Sequence, residues 1–226
     1  MSPSAPQVHR LVYRAPVQGE DYWVLDDALA DPLAVRARQL ARADWTLGAP
    51  HRPESWPGMR AQPALLPAEL APLEAWVMKQ TGRKRLFQAA AGSGGNGLLN
   101  HNCVQVVAAN EATARPHTDS RTLCKYAGVL YLSPQGPDFA GTTFYRTRLP
   151  DGRPGGNTLP SRHANLVEAL GTRFVPPDLF VPDVAVDYKF NRLLVYRADL
   201  IHSATAYFGQ AIEEQRMAAV FFWMAG

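Results

Sequence analysis

The second half of the chain is a series of short apolar segments separated by glycine and proline, and this pattern limits the possible folds most strongly. The segments are rich in Val, Leu, Tyr and Phe, which are typical of β-strands. They are residues 99–107, 122–132, 142–147, 192–197 and 216–224. The last segment is almost continuously apolar and therefore predicts a strand that is buried on both faces.

The first half of the chain predicts helices instead. Residues 22–25 indicate one short strand, after which Asp31 and Pro32 supply an N-cap and a first-turn proline for a helix. A second helix is predicted over residues 68–80, and residues 46–64 between the two are predicted to form a loop. Helices followed by strands favour an α+β, mainly β fold, in which a sandwich or barrel is buttressed by N-terminal helices.

The length of 226 residues suits a single domain over residues 1–226. Within it we expect a loose arm over 1–21, a helical support over 22–97 and a barrel over 98–226. The barrel would be interrupted by an excursion over 148–187, which contains one short predicted helix. An excursion of this length between strands is usually either functional or disordered.

Composition excludes several classes of protein. Lys and Arg total 23 against 20 Asp and Glu, and this net charge of +3 is spread along the chain, so we expect no nucleic-acid partner. Cys103 and Cys124 lie in apolar segments, which indicates free thiols in a reducing compartment rather than a disulfide framework or a zinc cluster. The sequence shows no signal-peptide pattern and no run of 18 apolar residues, so we expect a soluble, cytoplasmic protein without a membrane partner. It does not indicate an oligomeric state.

Three residues form a candidate metal site. His117 and Asp119 stand two positions apart, and on an extended segment such side chains point to the same side. His202, which follows the segment 192–197, can supply a third ligand. Two histidines and one carboxylate form the facial triad that binds non-haem iron(II) and leaves coordination positions open.

Arg216 is the first residue of the last apolar segment, 14 residues after His202. A guanidinium at the start of a buried strand needs a partner, and a carboxylate is its natural bidentate match. Iron(II) with one carboxylate and two neutral imidazoles would carry a net charge of +1, which suits a dianionic chelating acid. The alternative for Arg216 is a structural salt bridge with Glu213 or Glu214.

Three segments that surround these residues resemble a known family. They are residues 125–133, 141–145 and 191–203. Together they are similar to the catalytic barrel of the Fe(II)/2-oxoglutarate-dependent dioxygenase superfamily, and most similar in layout to prolyl-hydroxylase-like members and small bacterial 2-oxoglutarate oxygenases. The resemblance is good over residues 98–224 and weak over 22–45.

The resemblance implies a double-stranded β-helix, the jelly-roll or cupin-like barrel. It implies that His117, Asp119 and His202 bind iron, that Arg216 binds the distal carboxylate of 2-oxoglutarate, and that Tyr131 is a co-substrate-binding tyrosine. Two features depart from the family pattern. The separation of His202 from Arg216 is somewhat long, and the minimal barrel lacks the 148–187 excursion.

The activity implied is the oxidative decarboxylation of 2-oxoglutarate by O₂, coupled to hydroxylation of an unactivated C–H bond. We expect the substrate to be a small metabolite, such as an amino acid or a natural-product intermediate. One alternative is a hydroxylase for prolyl residues of peptides or proteins. Others are a cupin-like metal-binding barrel without O₂ chemistry and a purely structural β-sandwich. Arg216 favours the oxygenase, because the other barrels need no carboxylate clamp.

Further residues are candidates for substrate contact. The arginines are Arg60, Arg121 and Arg197, and the polar residues on or near the first predicted strand of the barrel are Asn102 and Gln105. Arg60 or Arg121 could bind a substrate carboxylate, and the loop over 56–60 could form one wall of the pocket.

The 148–187 excursion is predicted to close over the pocket as a lid. Its apolar cover would comprise Phe174, Leu179, Phe180 and Val181, with Gly155 and Gly156 as a hinge and Pro176 and Pro177 as a stiffener. The alternative is a dimer contact or an ordinary surface loop.

Overall fold

The computed structural model describes residue 8 and residues 11–48, 57–89, 101–172 and 175–226. The elements in chain order are β1 (Tyr22–Leu25), α1 (Pro32–Leu40), β2 (Thr46–Leu47), β3 (Met59–Ala61), α2 (Pro67–Thr81), β4 (Leu86–Phe87), β5 (Cys103–Val107), β6 (Tyr126–Tyr131), β7 (Thr142–Thr147), α3 (Leu166–Leu170), β8 (Phe180–Val186), β9 (Leu193–Arg197), β10 (His202–Ala204) and β11 (Arg216–Ala225). No helix in the described part of the chain is long and apolar enough to cross a membrane.

The strands form two antiparallel sheets. The larger sheet has eight strands in the order β1-β9-β6-β11-β5-β3-β2, with β4 paired to β11. The smaller sheet has the order β10-β7-β8. The predicted mainly β class is therefore confirmed. The register of the larger sheet aligns Ala218 of β11 with Gln105 of β5 on one side and Tyr131 of β6 on the other.

Side chains of the larger sheet alternate between two environments. On its outer face, Phe221 and Trp223 of β11 belong to a hydrophobic core that includes Val77 of α2. On its inner face, Tyr196 of β9 packs with Phe144 of the smaller sheet. Since β11 lies in the centre of the larger sheet and contributes to both faces, the prediction of a strand buried on both sides is confirmed.

The two N-terminal helices begin and end as their sequences indicate. The Asp31 side chain accepts a hydrogen bond from the Ala34 amide at the start of α1, and Pro32 is its first residue. The second helix ends at Gly82, whose φ of 66° is the left-handed conformation that favours glycine. Both helices pack on the outer face of the larger sheet through apolar side chains.

The 148–187 excursion was predicted wrongly in its second part. Residues 180–186 form β8, which pairs with β7 along its whole length. The register shifts between Phe144 and Tyr145, whose partners are Val184 and Pro182. A proline inside a segment argues against a strand unless the strand is at an edge or carries a bulge, and β8 has both features. The short helix predicted in the excursion is present as α3.

Two other expectations about the first half are corrected. The described part of the N-terminal arm is not loose, because Val8 and Leu11 are buried and the Asn157 amide donates to the Val12 carbonyl. The predicted loop over 46–64 contains β2 and β3, which are only two and three residues long and thus too short to produce a visible alternation. Residues 49–56 lie outside the described residues.

Candidate functional site

A cavity of about 700 Å³ opens between the two sheets. The larger sheet contributes inner-face residues from β5, β6, β9 and β11, and the smaller sheet contributes residues from all three of its strands. The three predicted metal ligands, His117, Asp119 and His202, also line this cavity. Its size is within the range of small-molecule sites.

The backbone brings the three predicted ligands together through an antiparallel pairing of two distant segments. The His117 amide donates to the His202 carbonyl at 3.0 Å, and the His202 amide donates to the His117 carbonyl at 2.8 Å. The Asp119 amide donates to the Ala198 carbonyl at 3.1 Å. Since the segment around His117 is extended, His117 and Asp119 point to the same side, towards His202.

The side-chain geometry fits one metal ion. One ligand atom from each of the three residues lies within 4.8 Å of the other two. The distance from His117 Nε2 to the Asp119 carboxylate is 3.9 Å, and that from His202 Nε2 is 3.5 Å. Asp119 and His202 are largely buried, whereas 55% of the His117 side chain is exposed. The site therefore has one side open to solvent.

Backbone carbonyls fix the tautomers of both histidines. His117 Nδ1 lies 2.9 Å from the Arg115 carbonyl oxygen, and His202 Nδ1 lies 2.9 Å from the Leu200 carbonyl oxygen. A carbonyl oxygen can only accept, so each Nδ1 carries the proton and donates. The Nε2 lone pairs are then available for a metal ion, an arrangement typical of metal-binding histidines.

The electrostatics of the site also suit a cation. Burial raises the pKa of Asp119 to about 6, and the nearby His117 partly offsets this effect. Burial, and to a lesser extent His117, lowers the pKa of His202 well below its usual value, so this imidazole is neutral. The buried Oδ2 atom of Asp119 has no hydrogen-bond partner among the described residues. An unsatisfied buried carboxylate oxygen beside two imidazoles fits a divalent cation of the iron type.

Arg216 lies in the wall of the same cavity and is 4% exposed. Its Nε donates to the Ala140 carbonyl at 3.2 Å, and its guanidinium lies 5.4 Å from the centre of the Tyr131 ring. In the described part of the chain, no ion pair joins Arg216 to Glu213 or Glu214, so the structural salt bridge considered above is not formed. The guanidinium can bind an anion in the cavity.

Tyr131 is fully buried and does not line the cavity itself. Its hydroxyl lies 2.9 Å from Thr142 Oγ1, and Thr142 is a lining residue. Burial raises the pKa of Tyr131, while the Arg216 guanidinium lowers it. Tyr131 therefore contacts two lining residues, Thr142 and Arg216, without lining the cavity itself.

The structure separates the predicted substrate-contact residues into two groups. Arg60 and Gln105 line the cavity. Arg121 and Arg197 do not line it, because both form ion pairs with Asp199, at 3.2 Å and 2.8 Å. Both arginines thus take part in ion pairs outside the lining of the cavity.

Asn102 is the other predicted contact that the structure places elsewhere. Its side chain accepts from the Leu65 amide and donates to the Leu65 carbonyl, each at 2.8 Å. Asn102 lies just before β5 with a φ of 52°, so the strand alternation used to predict its direction does not apply to it. It connects β5 to the segment that leads into α2.

Several lining residues were not predicted. The Tyr196 ring lies 4.4 Å from the His202 ring, centre to centre, and Phe222 and Thr142 complete nearby walls. The alternation along β11 could have indicated Phe222, since it has the same parity as Arg216. Tyr196 could not be placed without the register between β9 and β6.

The predicted lid is only partly as expected. Residues of α3 and Pro177 line the cavity, so the excursion does border its mouth. Gly155 and Gly156 are not a hinge, because both are buried and form backbone hydrogen bonds with Thr147. A Cβ atom on Gly156 would lie 2.4 Å from the Leu11 backbone, so close packing explains this glycine. Trp56 and Phe174 lie outside the described residues.

Comparison with known proteins gives a family and a fold. A family model described as a family of unknown function (DUF6445) matches residues 6–216. No curated protein matches the chain.

Three solved structures show the fold. The non-haem alpha ketoglutarate dependent carbocyclase SnoK from nogalamycin biosynthesis is 15% identical with a TM-score of 0.55, and the match covers 91% of this chain and 80% of SnoK. HygX from Streptomyces hygroscopicus, with nickel, 2-oxoglutarate and hygromycin B bound, is 15% identical with a TM-score of 0.51, covering 91% and 83%. The epimerase SnoN, also from nogalamycin biosynthesis, is 16% identical with a TM-score of 0.50, covering 91% and 78%. The resemblance to 2-oxoglutarate-dependent enzymes is thus confirmed at the level of the fold.

Proposed function

The chain belongs to the DUF6445 family of unknown function, and we propose that it is a non-haem Fe(II)- and 2-oxoglutarate-dependent oxygenase that acts on a small molecule. One observation carries this proposal: His117, Asp119 and His202 converge in a cavity, with both Nε2 atoms free to coordinate and a buried Asp119 oxygen without a hydrogen-bond partner among the described residues. The fold of the three solved enzymes supports it.

The proposal includes the finer architecture. We assign the two sheets to a double-stranded β-helix, with the larger sheet and the smaller sheet as its two walls. The whole chain forms one oxygenase domain, in which α1 and α2 support the larger sheet. The three neighbouring enzymes, which match over 91% of this chain, favour this assignment.

Each residue of the site has a proposed role. His117, Asp119 and His202 hold Fe(II), which supplies the activation of O₂ coupled to decarboxylation of 2-oxoglutarate when both are bound. Arg216 binds the distal carboxylate of 2-oxoglutarate, and Tyr131 orients Thr142 and Arg216 around it. Apolar side chains of the inner face, such as Phe222, exclude water from the reacting atoms.

We propose hydroxylation of an unactivated C–H bond as the reaction, with a free amino acid or a natural-product intermediate as the substrate. The cavity of about 700 Å³ suits such a molecule. The HygX structure contains hygromycin B, and SnoK and SnoN belong to nogalamycin biosynthesis, which also favours a small substrate. The cavity position of Arg216 favours this activity over a metal-binding barrel without O₂ chemistry.

Calorimetry of 2-oxoglutarate binding tests the proposal. Protein loaded with Ni²⁺, a stand-in that does not turn over, should bind one 2-oxoglutarate, and metal-free protein should bind none. His202→Ala should abolish binding, while His163→Ala, a histidine outside the cluster, should not. Binding that does not depend on the metal would contradict the proposal. A screen for succinate release with Fe²⁺ and O₂ then separates free metabolites from prolyl peptides as substrates.

A further inference from the structure

The two ligand-bearing segments do not pair evenly with each other. The backbone groups of His117 and His202 bond reciprocally, and the next hydrogen bond along the ladder joins the Asp119 amide to the Ala198 carbonyl. One residue, Thr118, therefore stands opposite three residues, 199–201. These three residues form a bulge, the 199–201 bulge, and in the described part of the chain no backbone hydrogen bond joins it to Thr118.

The 199–201 bulge acts on His202 through the Leu200 carbonyl. His202 directly follows the bulge, and its Nδ1 donates to this carbonyl at 2.9 Å. The position of the carbonyl therefore sets the direction in which the Nε2 atom of the same ring points. Hydrogen-bond partners of this kind orient metal-binding histidines and influence the affinity for the metal. The contacts that hold the bulge are thus part of what shapes the site.

Asp199 is the first residue of the 199–201 bulge, and two arginines hold its carboxylate. Arg197 donates to it twice, from Nε at 3.1 Å and from Nη2 at 2.8 Å, which is a bidentate pair. The Nη2 atom of Arg121 donates to the same carboxylate at 3.2 Å. Only 9% of the Asp199 side chain is exposed, so solvent screens these contacts little. Backbone hydrogen bonds of 3.2 Å each to Asn157 and Leu159 hold the bulge as well.

Arg121 connects Asp199 to the other ligand-bearing segment. It stands two residues after Asp119, and its Nη2 atom also donates to the Leu159 carbonyl. The Arg121 amide donates to the Ala164 carbonyl at 2.9 Å, so the backbone ladder between the two ligand segments does not continue past Asp119. The ion pair of Arg121 with Asp199 therefore joins these segments through side chains at the place where the ladder ends.

Asp21 offers a natural comparison with Asp199, because it shares Arg197 with it. The Nη1 atom of Arg197 donates to the Asp21 carboxylate at 3.0 Å, and only 1% of the Asp21 side chain is exposed. Among the described residues, its remaining side-chain contacts are with residues 14–17 and not with residues 117–121. Asp21 is thus a buried partner of the same arginine without a link to the ligand segments.

We infer that Asp199, held by Arg121 and Arg197, is a positioning residue of the metal site, which fixes the 199–201 bulge and thereby the orientation of His202. This inference rests on the proposed function, since it takes His202 as a metal ligand. Asp199 does not line the cavity, so it acts through the Leu200 carbonyl and not by contact with the metal or the substrate.

A comparison of Asp199→Asn with Asp21→Asn in the whole protein tests the inference. Each change removes one negative charge from a buried partner of Arg197 at nearly constant shape, but only Asp199→Asn alters the 199–201 bulge. Calorimetry measures the dissociation constant of Ni²⁺, and chemical denaturation measures the free energy of unfolding without metal. The visible absorption spectrum of Co²⁺-loaded protein reports the ligand geometry. Arg121→Met, alone and combined with Asp199→Asn, completes the set, and Asp151→Asn in an exposed ion pair is the surface control.

Asp199→Asn should weaken Ni²⁺ binding about tenfold or more and change the Co²⁺ spectrum, because loss of an outer partner typically costs a metal site about 10- to 100-fold in affinity. Asp21→Asn and Asp151→Asn should bind Ni²⁺ within about threefold of the wild type and keep its Co²⁺ spectrum, since neither touches the ligand segments. This holds even where Asp21→Asn lowers the free energy of unfolding as much as Asp199→Asn does. Arg121→Met should also weaken binding, and the double variant should lose less than the product of the two separate effects.

Two results would overturn the inference alone. One is an unchanged Ni²⁺ affinity in either Asp199→Asn or Arg121→Met. The other is an equal loss of affinity in Asp21→Asn and Asp199→Asn, which would assign the effect to the general stability of the fold. If Asp199→Asn does not fold, an unchanged affinity in Arg121→Met is sufficient to overturn it. A wild type that binds no Ni²⁺ would contradict the proposed function itself, and the inference with it, before any variant is compared.

Discussion

The backbone amide of Leu166 donates a hydrogen bond of 3.0 Å to the hydroxyl of Thr118. Thr118 lies between the proposed ligands His117 and Asp119, and Leu166 is the first residue of α3, which borders the cavity. The helix at the mouth of the cavity is therefore hydrogen-bonded directly to the segment that carries His117 and Asp119.

The same excursion also holds the second ligand-bearing segment. The Leu159 amide donates to the Asp199 carbonyl, and the Ile201 amide donates to the Asn157 carbonyl, each at 3.2 Å. His202 follows immediately. Deleting residues 152–175 to test a lid would thus remove contacts to both ligand segments, so point variants are the better test of this region.

We predict that Thr118→Val weakens the site, whereas Thr118→Ser keeps it. Valine has the shape of threonine but cannot accept from the Leu166 amide, and a buried amide without a partner costs about 1–3 kcal/mol. The free energy of unfolding of metal-free protein should fall by this amount, and the affinity for Ni²⁺ should fall as well. Chemical denaturation and calorimetry measure the two effects. Equal behaviour of Thr118→Val and the wild type would show that this hydrogen bond does not support the site.

Arg216→Ala should raise the KM for 2-oxoglutarate much more than the KM for the substrate. Loss of one partner from a buried charge-assisted contact costs on the order of 2–5 kcal/mol, or roughly 30- to several-thousand-fold. Tyr131→Phe removes one neutral hydrogen bond and should cost about 1 kcal/mol. Steady-state kinetics measure each KM by varying one compound while the other is saturating, with Arg153→Ala as the surface control. If the KM for 2-oxoglutarate changes by less than about threefold in Arg216→Ala, another residue binds the distal carboxylate. Arg60 would then be the next candidate.

The free energy of unfolding of the metal-free protein should depend on pH because of Asp119. Its pKa is raised from 3.8 to about 6 in the folded state, so the folded protein holds this proton more tightly than the unfolded chain. The stabilisation is complete below pH of about 4 and is lost as the pH rises through about 6. It amounts to on the order of 3 kcal/mol, since one pKa unit corresponds to about 1.4 kcal/mol.

The comparison of wild type with Asp119→Asn isolates this effect. The stability difference between the two should change between pH 4 and 6 in unfolding measurements without metal, and the affinity of the wild type for Ni²⁺ should rise over the same range, because the metal displaces the proton. A difference that does not vary with pH would contradict the raised pKa of Asp119.

Asn102→Ala should affect stability and not co-substrate binding. The variant loses two hydrogen bonds to Leu65 and places alanine at a φ of 52°. We expect a loss of about 1–3 kcal/mol in the free energy of unfolding. Asn102→Gly tolerates the same φ, so it should lose less stability than Asn102→Ala, and the difference reports the backbone strain of alanine. A large rise in the KM for 2-oxoglutarate in Asn102→Ala would restore this residue to the site.

Sequence predicted the elements that have a long or well-bounded pattern. The strand over 142–147 has the predicted bounds, and β11 is one residue longer than predicted. The end of α2 is marked by Gly82. The strands that were missed are the short ones and β8, in which Pro182 and its bulge interrupt the alternation.

The residues of the candidate site were likewise predictable from the sequence only in part. His117 and Asp119 are close in sequence, so the two-residue period of an extended segment was enough to place them on one side. The direction of Arg197 could not be predicted, because one of its ion-pair partners, Asp21, is 176 residues away in sequence. The cytoplasmic location and the substrate class remain predictions.

The most direct test of the account is the amount of iron bound by the purified protein and its ligand variants. Anaerobic titration with Fe²⁺, followed by metal analysis, should give one tightly bound ion per wild-type chain and one per His163→Ala chain. His117→Ala and His202→Ala should each lose most of this binding while remaining folded, because two of three protein ligands do not hold the ion. One ion per chain in both ligand variants, or no ion in the wild type, would contradict the assignment of His117, Asp119 and His202 as the metal centre.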